Sequence, residues 1–117
     1  MATTIPKKKY YYHITPFQSY FSIKNTGIKC SEDGYIYMLD TDEVVAYVAV
    51  NQLLFLNYGL FRIDSEGINV ELEKDLVGEL TVDHQFRIRQ DVIDKKYIKD
   101  LGMKKIIDPA NTPYEIK

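Results

Sequence analysis

The pattern of hydrophobic and polar positions changes several times along the first part of the chain. Aromatic and β-branched residues predict a first strand over Tyr10–Ile14. Thr15 and Pro16 then suit a helix start, the threonine as the cap and the proline as the first helical residue. Apolar residues at helical spacing follow from Phe17, and Gly27 is expected to end this helix. The pattern therefore predicts a strand that leads directly into an amphipathic helix.

A second strand and a second helix follow the same logic. Ser31–Gly34 is typical of a turn, and Tyr35–Leu39 of a short strand. Asp40 is placed to cap a helix over Thr41–Asn57, and Gly59 to end it. Apolar residues lie nearly all round this helix, so we expect it to be buried on more than one face or to meet a second copy of the chain in a homodimer.

The second half of the chain alternates in the way strands do. Phe86 and Ile88 are expected on one face of their strand, with Arg87 and Arg89 on the other. The predicted strands are Leu60–Asp64, Ile68–Leu72, Leu80–Val82, His84–Arg89 and one starting at Ile98, with a turn at Ser65–Gly67 and a helical turn at Asp94–Tyr97. This order predicts an α+β fold with antiparallel sheets and two helices in the N-terminal half.

Composition narrows the class of protein without changing this fold. The chain has 117 residues and a net charge of −2, so we expect one domain over residues 9–107, an arm over 1–8 and a tail over 108–117. Cys30 is the only cysteine, which excludes an intramolecular disulfide. The basic run Lys7–Lys9 is not followed by an apolar signal segment, and no stretch is apolar enough to span a bilayer. These features predict a cytoplasmic protein with no membrane partner.

Several kinds of site are absent from the sequence. His13 and His84 are the only histidines and lie in no cluster of metal-ligand spacing, so no metal site is predicted. The scattered glycines form no phosphate-binding loop, and no local motif supports a nucleophilic triad. The remaining candidates are His13, Tyr37, Gln85 and Arg87, on or beside predicted strands. Taken singly, each is an ordinary structural residue.

Their order along the chain changes this interpretation. The segments that carry the pattern are Tyr12-His13-Ile14-Thr15-Pro16, Ser22-Ile23-Lys24, Gly27-Ile28-Lys29, Tyr35-Ile36-Tyr37-Met38-Leu39-Asp40, Phe61-Arg62-Ile63-Asp64, Gln85-Phe86-Arg87-Ile88-Arg89 and Val92-Ile93-Asp94-Lys95-Lys96-Tyr97-Ile98. Together they resemble the small ADP-ribosyltransferase-like proteins, over roughly residues 10–100. DNA-modifying ADP-ribosyltransferase toxins and RNA 2′-phosphotransferases are relatives on that fold. The resemblance implies split antiparallel sheets and a site for NAD.

The resemblance also implies a role for each candidate residue. His13 would bind a ribose hydroxyl of NAD, because an imidazole can both donate and accept, and Thr15 would add a second hydroxyl contact. Tyr37 would stack on the nicotinamide. Gln85 aligns with the glutamate that stabilises the oxocarbenium-like centre in active transferases, and an amide cannot supply that charge. Arg87, on the same strand face, is the second candidate catalytic residue.

The missing glutamate leaves several functions open. The chain could be an ADP-ribosyltransferase acting on a nucleic acid or protein without the glutamate, or a phosphate-handling enzyme that uses arginine. It could also be a non-catalytic module that binds a nucleotide or a protein, or an unrelated interaction protein that dimerises through Thr41–Asn57. On the sequence alone, Gln85→Glu is expected to raise NAD turnover by restoring the charge.

Overall fold

A computed structural model describes residues 5–51, 56–75 and 83–106 of the chain. The elements in chain order are β1 Tyr10–Pro16, α1 Phe17–Thr26, β2 Ile28–Lys29, β3 Ile36–Leu39, α2 Val45–Asn51, β4 Asn57–Asp64, β5 Glu73–Lys74, β6 Gln85–Ile88, β7 Val92–Ile93 and β8 Ile98–Lys105. Short 3-10 turns lie at Ser65–Gly67 and Lys95–Tyr97.

Within the described residues, the strands form a six-stranded sheet in the order β5-β6-β3-β1-β4-β8 and a separate two-stranded sheet of β2 and β7. Every recorded strand pair is antiparallel. The prediction of an α+β fold with antiparallel sheets and two helices in the N-terminal half is confirmed at this level. No helix in the described part of the chain has the length and apolar character needed to cross a bilayer.

A hydrophobic core lies on each face of the large sheet. Helix α1 and the small sheet cover one face, which we call the α1 face, and helix α2 covers part of the other, the α2 face. The α1 face buries Tyr11, Tyr20, Ile23, Ile28, Ile36, Met38, Phe61, Ile63, Phe86, Ile88 and Ile93. The α2 face buries Ile14, Leu39, Val45, Ala46, Val48, Ala49, Tyr58, Leu60 and Ile106. Alternation along each strand divides neighbouring side chains between the two cores.

The start of α1 differs from its prediction. Strand β1 continues through Thr15 and Pro16, and Pro16 is the cap residue of α1, where no side-chain capping bond forms. Thr15 does not cap the helix, because its backbone is held in the ladder opposite Gly59 of β4. Gly27 ends α1 as predicted, with φ at 90° and its N–H donating to the Ile23 carbonyl at 2.9 Å.

The second helix is shorter at its start than the pattern predicted. It begins at Val45, not at Thr41, and Asp40 does not cap it. The Asp40 carboxylate instead contacts Lys8 Nζ at 3.0 Å and His84 Nδ1 at 2.9 Å, which ties the arm to the ends of β3 and β6. Asn57 already begins β4, so the predicted helix end at Asn57 and Gly59 was wrong.

Two predicted strands have other outcomes. The alternating stretch Ile68–Leu72 forms no strand; Ile68 and Leu72 pack into the α1-face core from an irregular segment, and the strand follows at Glu73–Lys74. The alternation of apolar and polar residues here therefore reflected the burial of alternate side chains, and not the pairing of this segment with another strand. Leu80–Val82 and the predicted tail at 108–117 lie outside the described residues. The turn at Ser31–Gly34 and the helical turn near Asp94 are confirmed.

Candidate functional site

The site begins where β1 separates from β3. Seven consecutive residues of β1, from Tyr10 to Pro16, pair with β4, but only Tyr12 pairs with β3, opposite Leu39. Beyond that bridge no further ladder pair joins the two strands in the described residues, and both strands line a cleft of about 570 Å³, a volume typical of small-molecule sites. Its lining residues are Tyr12, His13, Ile14, Thr15, Pro16, Ser19, Ser22, Ile23, Gly27, Ile28, Lys29, Ser31, Tyr37, Met38, Leu39, Val48, Asp75 and Gln85.

His13 spans the gap between the two strands. Its Nδ1 lies 2.8 Å from the carbonyl oxygen of Tyr37. Because a carbonyl only accepts, Nδ1 carries the proton and donates it. Burial lowers the pKa of His13, while the bond to the Tyr37 carbonyl acts in the opposite direction, so the ring is neutral at neutral pH. Its Nε2 is therefore a hydrogen-bond acceptor, and no described residue is recorded as its partner.

Tyr37 lines the same cleft, but its side chain leaves β3 on the other face of the sheet. Its strand partner Arg87 and the neighbouring Leu39 mark the α2 face, whereas His13 pairs with Phe61, which marks the α1 face. The Tyr37 hydroxyl donates to the Asp33 carboxylate. This bond raises the pKa of Tyr37 and lowers the pKa of Asp33. The ring is thereby held in place at the edge of the cleft.

Gln85 lies at the start of β6, next to Leu39 in the ladder, and is buried. Its Nε2 is 3.4 Å from Oδ2 of Asp75, which directly follows β5. Asp75 is also buried and lines the cleft, and its backbone N–H donates to the Gln85 carbonyl at 3.0 Å. The amide and the carboxylate are therefore cross-strand neighbours, and a negative group is present beside the residue that the sequence left neutral.

The other two predicted site residues have different positions. Thr15 is buried and lines the cleft from β1. Arg87 is not among the lining residues: its guanidinium carbon lies 4.2 Å from the centre of the Tyr35 ring, and its Nη2 is 3.3 Å from Glu73 Oε1. The structure thus brings His13, Thr15, Tyr37 and Gln85 to one cleft and leaves Arg87 on the sheet surface beside it.

The α1 side of the cleft has a different chemical character. Ser19 and Ser22 of α1, Lys29 of β2 and Ser31 line it there. Hydroxyl groups and an ammonium are groups that bind phosphate oxygens. The described residues hold no group of three or more histidine, cysteine or acidic side chains able to bind a metal ion. The cleft therefore suits an organic ligand whose anionic part lies toward α1.

Asp75 is a buried cleft residue that the sequence analysis did not single out. It precedes residues 76–82, which lie outside the described part, and nothing in the local sequence sets it apart from neighbouring acids such as Glu71 and Glu73. Only the pairing of β5 with β6 brings it beside Gln85. The local pattern of hydrophobic and polar residues does not show which residues of two distant segments become neighbours across a pair of strands.

The chain was compared with protein-family models and with curated proteins, and neither comparison returned a match. The assignment of a function therefore rests on the site itself and on the short motifs of the sequence.

Proposed function

We propose that this domain binds NAD, or a closely related dinucleotide, in the cleft between β1 and β3, as an ADP-ribosyltransferase-like protein. The observation that carries the proposal is the convergence of His13, Thr15, Tyr37 and Gln85 on one cleft of about 570 Å³. The motifs that resemble the transferase group supply these four residues from three separate strands. NAD would act as a co-substrate, and the acceptor of ADP-ribose would be a nucleic acid or a protein.

The state of His13 supports ribose binding. A neutral imidazole with Nδ1 engaged by the Tyr37 carbonyl presents Nε2 as an acceptor for a hydroxyl hydrogen. The same bond orients the ring, so little side-chain freedom is lost when a ligand binds. The role expected for His13 from the resemblance is thereby reduced to one specific contact, the acceptance of one ribose hydroxyl.

The orientation of Tyr37 favours an extended ligand. Because His13 and Tyr37 project to opposite faces of the sheet, a ligand that touches both would have to extend along the cleft from one face to the other. A compact nucleoside would reach one face only. A dinucleotide has the length to place one end near the serines of α1 and the other near Tyr37 and Gln85.

A non-catalytic nucleotide-binding module is the second candidate, since Gln85 supplies no charge and Arg87 lies outside the cleft lining. The two candidates share the site and differ in turnover. A homodimer through α2 is the third. Val45, Ala46, Val48 and Ala49 of this helix are buried against the sheet of their own chain, which accounts for much of its apolar character in the described part.

The test measures NAD binding by calorimetry and nicotinamide release under the same conditions. His13→Ala is expected to weaken NAD binding at least about tenfold, because an ordered acceptor in the cleft is lost. The matched control is His84→Ala, which removes the other histidine and its contact with Asp40 but no cleft residue. This control is expected to bind NAD as the wild type does.

Each outcome separates the candidates. Binding that depends on His13, with nicotinamide release, supports a transferase; the same binding without release supports the non-catalytic module. Absence of NAD binding by the wild-type protein, or equal binding by wild type and His13→Ala, contradicts the proposed site. Light scattering at micromolar concentration tests the dimer separately.

A further inference from the structure

Charge is distributed unevenly over the molecule. The whole chain has a net charge of −2, but helix α1 contains one lysine and no acid, and strand β8 contains three lysines and one acid. These charged residues are Lys24, Lys99, Asp100, Lys104 and Lys105. The Asp100 carboxylate is partly neutralised, because Lys24 Nζ lies 3.4 Å from it. The side of the molecule formed by α1 and β8 is therefore basic.

Three large apolar side chains are exposed on this same side. Phe17 is 52% exposed, Phe21 56% and Met103 38%. The two phenylalanines lie about one turn apart on α1, with ring centres 6.2 Å apart. Met103 is on the α1 face as well, because it pairs with Gly59, over which the Tyr20 ring packs. These three apolar residues, together with Lys24, Lys104 and Lys105, are called the α1–β8 surface.

Lysines and apolar side chains are interleaved on the α1–β8 surface. Lys24 Nζ lies 5.9 Å from the centre of the Phe21 ring, and Lys105 follows Met103 on the same face of β8. Lysines in such positions can hold their ammonium groups at anionic headgroups while the apolar neighbours enter the boundary with the acyl chains. A second copy of the chain fits less well, because a twofold interface would bring the same lysines toward one another.

We propose that the α1–β8 surface binds the surface of an anionic lipid bilayer, with Phe17, Phe21 and Met103 at the level of the headgroups and the lysines against the lipid phosphates. The sequence predicted no membrane partner, because the net charge of the chain conceals this local excess of lysine. The inference does not depend on the proposed dinucleotide site, since none of the three apolar residues lines the cleft.

The test is co-sedimentation of the full chain with vesicles of phosphatidylcholine alone, or of phosphatidylcholine and phosphatidylglycerol in equal amounts. The wild type is expected to bind the anionic vesicles and not phosphatidylcholine alone. Phe17→Ser combined with Phe21→Ser is expected to weaken this binding at least about tenfold, because two exposed rings no longer leave water. Phe17→Leu combined with Phe21→Leu keeps the apolar contact and is expected to bind as the wild type does.

A second pair of variants tests the charge separately. Lys104→Gln combined with Lys105→Gln is expected to weaken binding to the anionic vesicles at least about tenfold, because each lysine near such a surface contributes to the attraction. Lys104→Arg combined with Lys105→Arg keeps the charge and is expected to keep the binding. All four substituted positions are exposed, so each variant is expected to fold, and circular dichroism verifies this.

The outcomes are distinct. A wild type that does not bind the anionic vesicles overturns the proposal, and so does binding that either the serine pair or the glutamine pair leaves unchanged. Self-association of the wild type in light scattering that the serine pair abolishes, without vesicle binding, also overturns it and assigns the α1–β8 surface to a second copy of the chain. Binding of NAD by the same preparations tests the proposed function independently.

Discussion

Strand β1 is paired very differently along its two edges. On the β4 edge all seven of its residues have a partner, and Tyr20 of α1 packs over the joint at Gly59. On the β3 edge the ladder has one residue pair, and the side chain of His13 adds a hydrogen bond to the Tyr37 carbonyl. The closed edge has continuous hydrogen bonding and a packed core, whereas the open edge has the cleft. A single strand thus separates the fully paired part of the sheet from the part that lines the candidate site.

The largest effect is expected from filling the space above the closed edge. A Cβ at Gly59 would overlap the Tyr20 ring and press on Thr15. Gly59→Ala is therefore expected to lower the free energy of unfolding by about 3 kcal/mol, the upper part of the range for an overpacked core. Urea denaturation followed by circular dichroism measures the change.

The control for this prediction is Gly102→Ala in β8. Gly102 has φ at 94° but open space around its Cβ position, so only backbone strain of about 1 kcal/mol is expected. If Gly59→Ala is as stable as Gly102→Ala, the closed edge is not the tightly packed one.

A smaller effect is expected from the bond that fastens α1 over this edge. The hydroxyl of Tyr20 lies 2.7 Å from both carboxylate oxygens of Asp100 in β8 in a partly buried position, and this hydrogen bond raises the pKa of Tyr20. Tyr20→Phe is expected to lower the free energy of unfolding by about 1 kcal/mol, since the Asp100 side chain is still partly solvated. Tyr97→Phe, at a half-buried tyrosine with no recorded hydroxyl bond, is the control. Equal losses in both variants would show that the bond to Asp100 adds nothing.

On the open edge a pH effect is expected instead. Burial lowers the pKa of His13 in the folded state below its ordinary value near 6.5, so the unfolded state takes up a proton first as the solution becomes acidic. The contribution of the neutral His13 ring to the free energy of unfolding is complete above about pH 6.5, and it is lost as the pH falls below that value. The free energy of unfolding is expected to change with pH by less than the one-proton limit of about 1.4 kcal/mol per pH unit. The change is smaller because the hydrogen bond to the Tyr37 carbonyl raises the pKa of His13 and so partly offsets the effect of burial. Unfolding curves of wild type and His13→Gln between pH 7 and 5 measure it, and parallel curves would contradict it.

The smallest effect is expected for Gln85→Glu. The sequence alone predicts that this change raises NAD turnover by supplying a missing charge. In the structure it would place two carboxylates side by side, because Gln85 Nε2 is 3.4 Å from Asp75 Oδ2. The wild-type site already holds the Asp75 carboxyl group, and a second one beside it would be repelled by the first, so the substitution does not supply a missing charge. We expect nicotinamide release close to that of the wild type at pH 7; a large increase would show that Asp75 does not act in the cleft.

The two expectations for Gln85→Glu show how much of the fold and of the candidate site the sequence could predict. Strand and helix patterns predicted β1, α1, β3 and the antiparallel α+β order, because their periodicity reflects burial on one face. They failed at Gly59, which resembles a helix end but lies in β4, and at Ile68–Leu72, where alternation occurs without pairing. The motifs pointed to four residues of the cleft, yet Asp75 could not be found, because its place depends on the pairing of β5 with β6.

The strand order also has a consequence for how a new copy of the protein is made. Strand β3 pairs with β6, where Tyr37 lies opposite Arg87. The small sheet forms only when β7 pairs with β2. During synthesis on the ribosome, His13, Thr15 and Tyr37 are therefore present well before β6 and β7, the strands that pair with β3 and β2, have been synthesised. Contacts between segments so far apart in sequence form slowly. The cleft is expected to be among the last parts of the domain to assemble, and a nascent chain that ends before β6 should hold no dinucleotide.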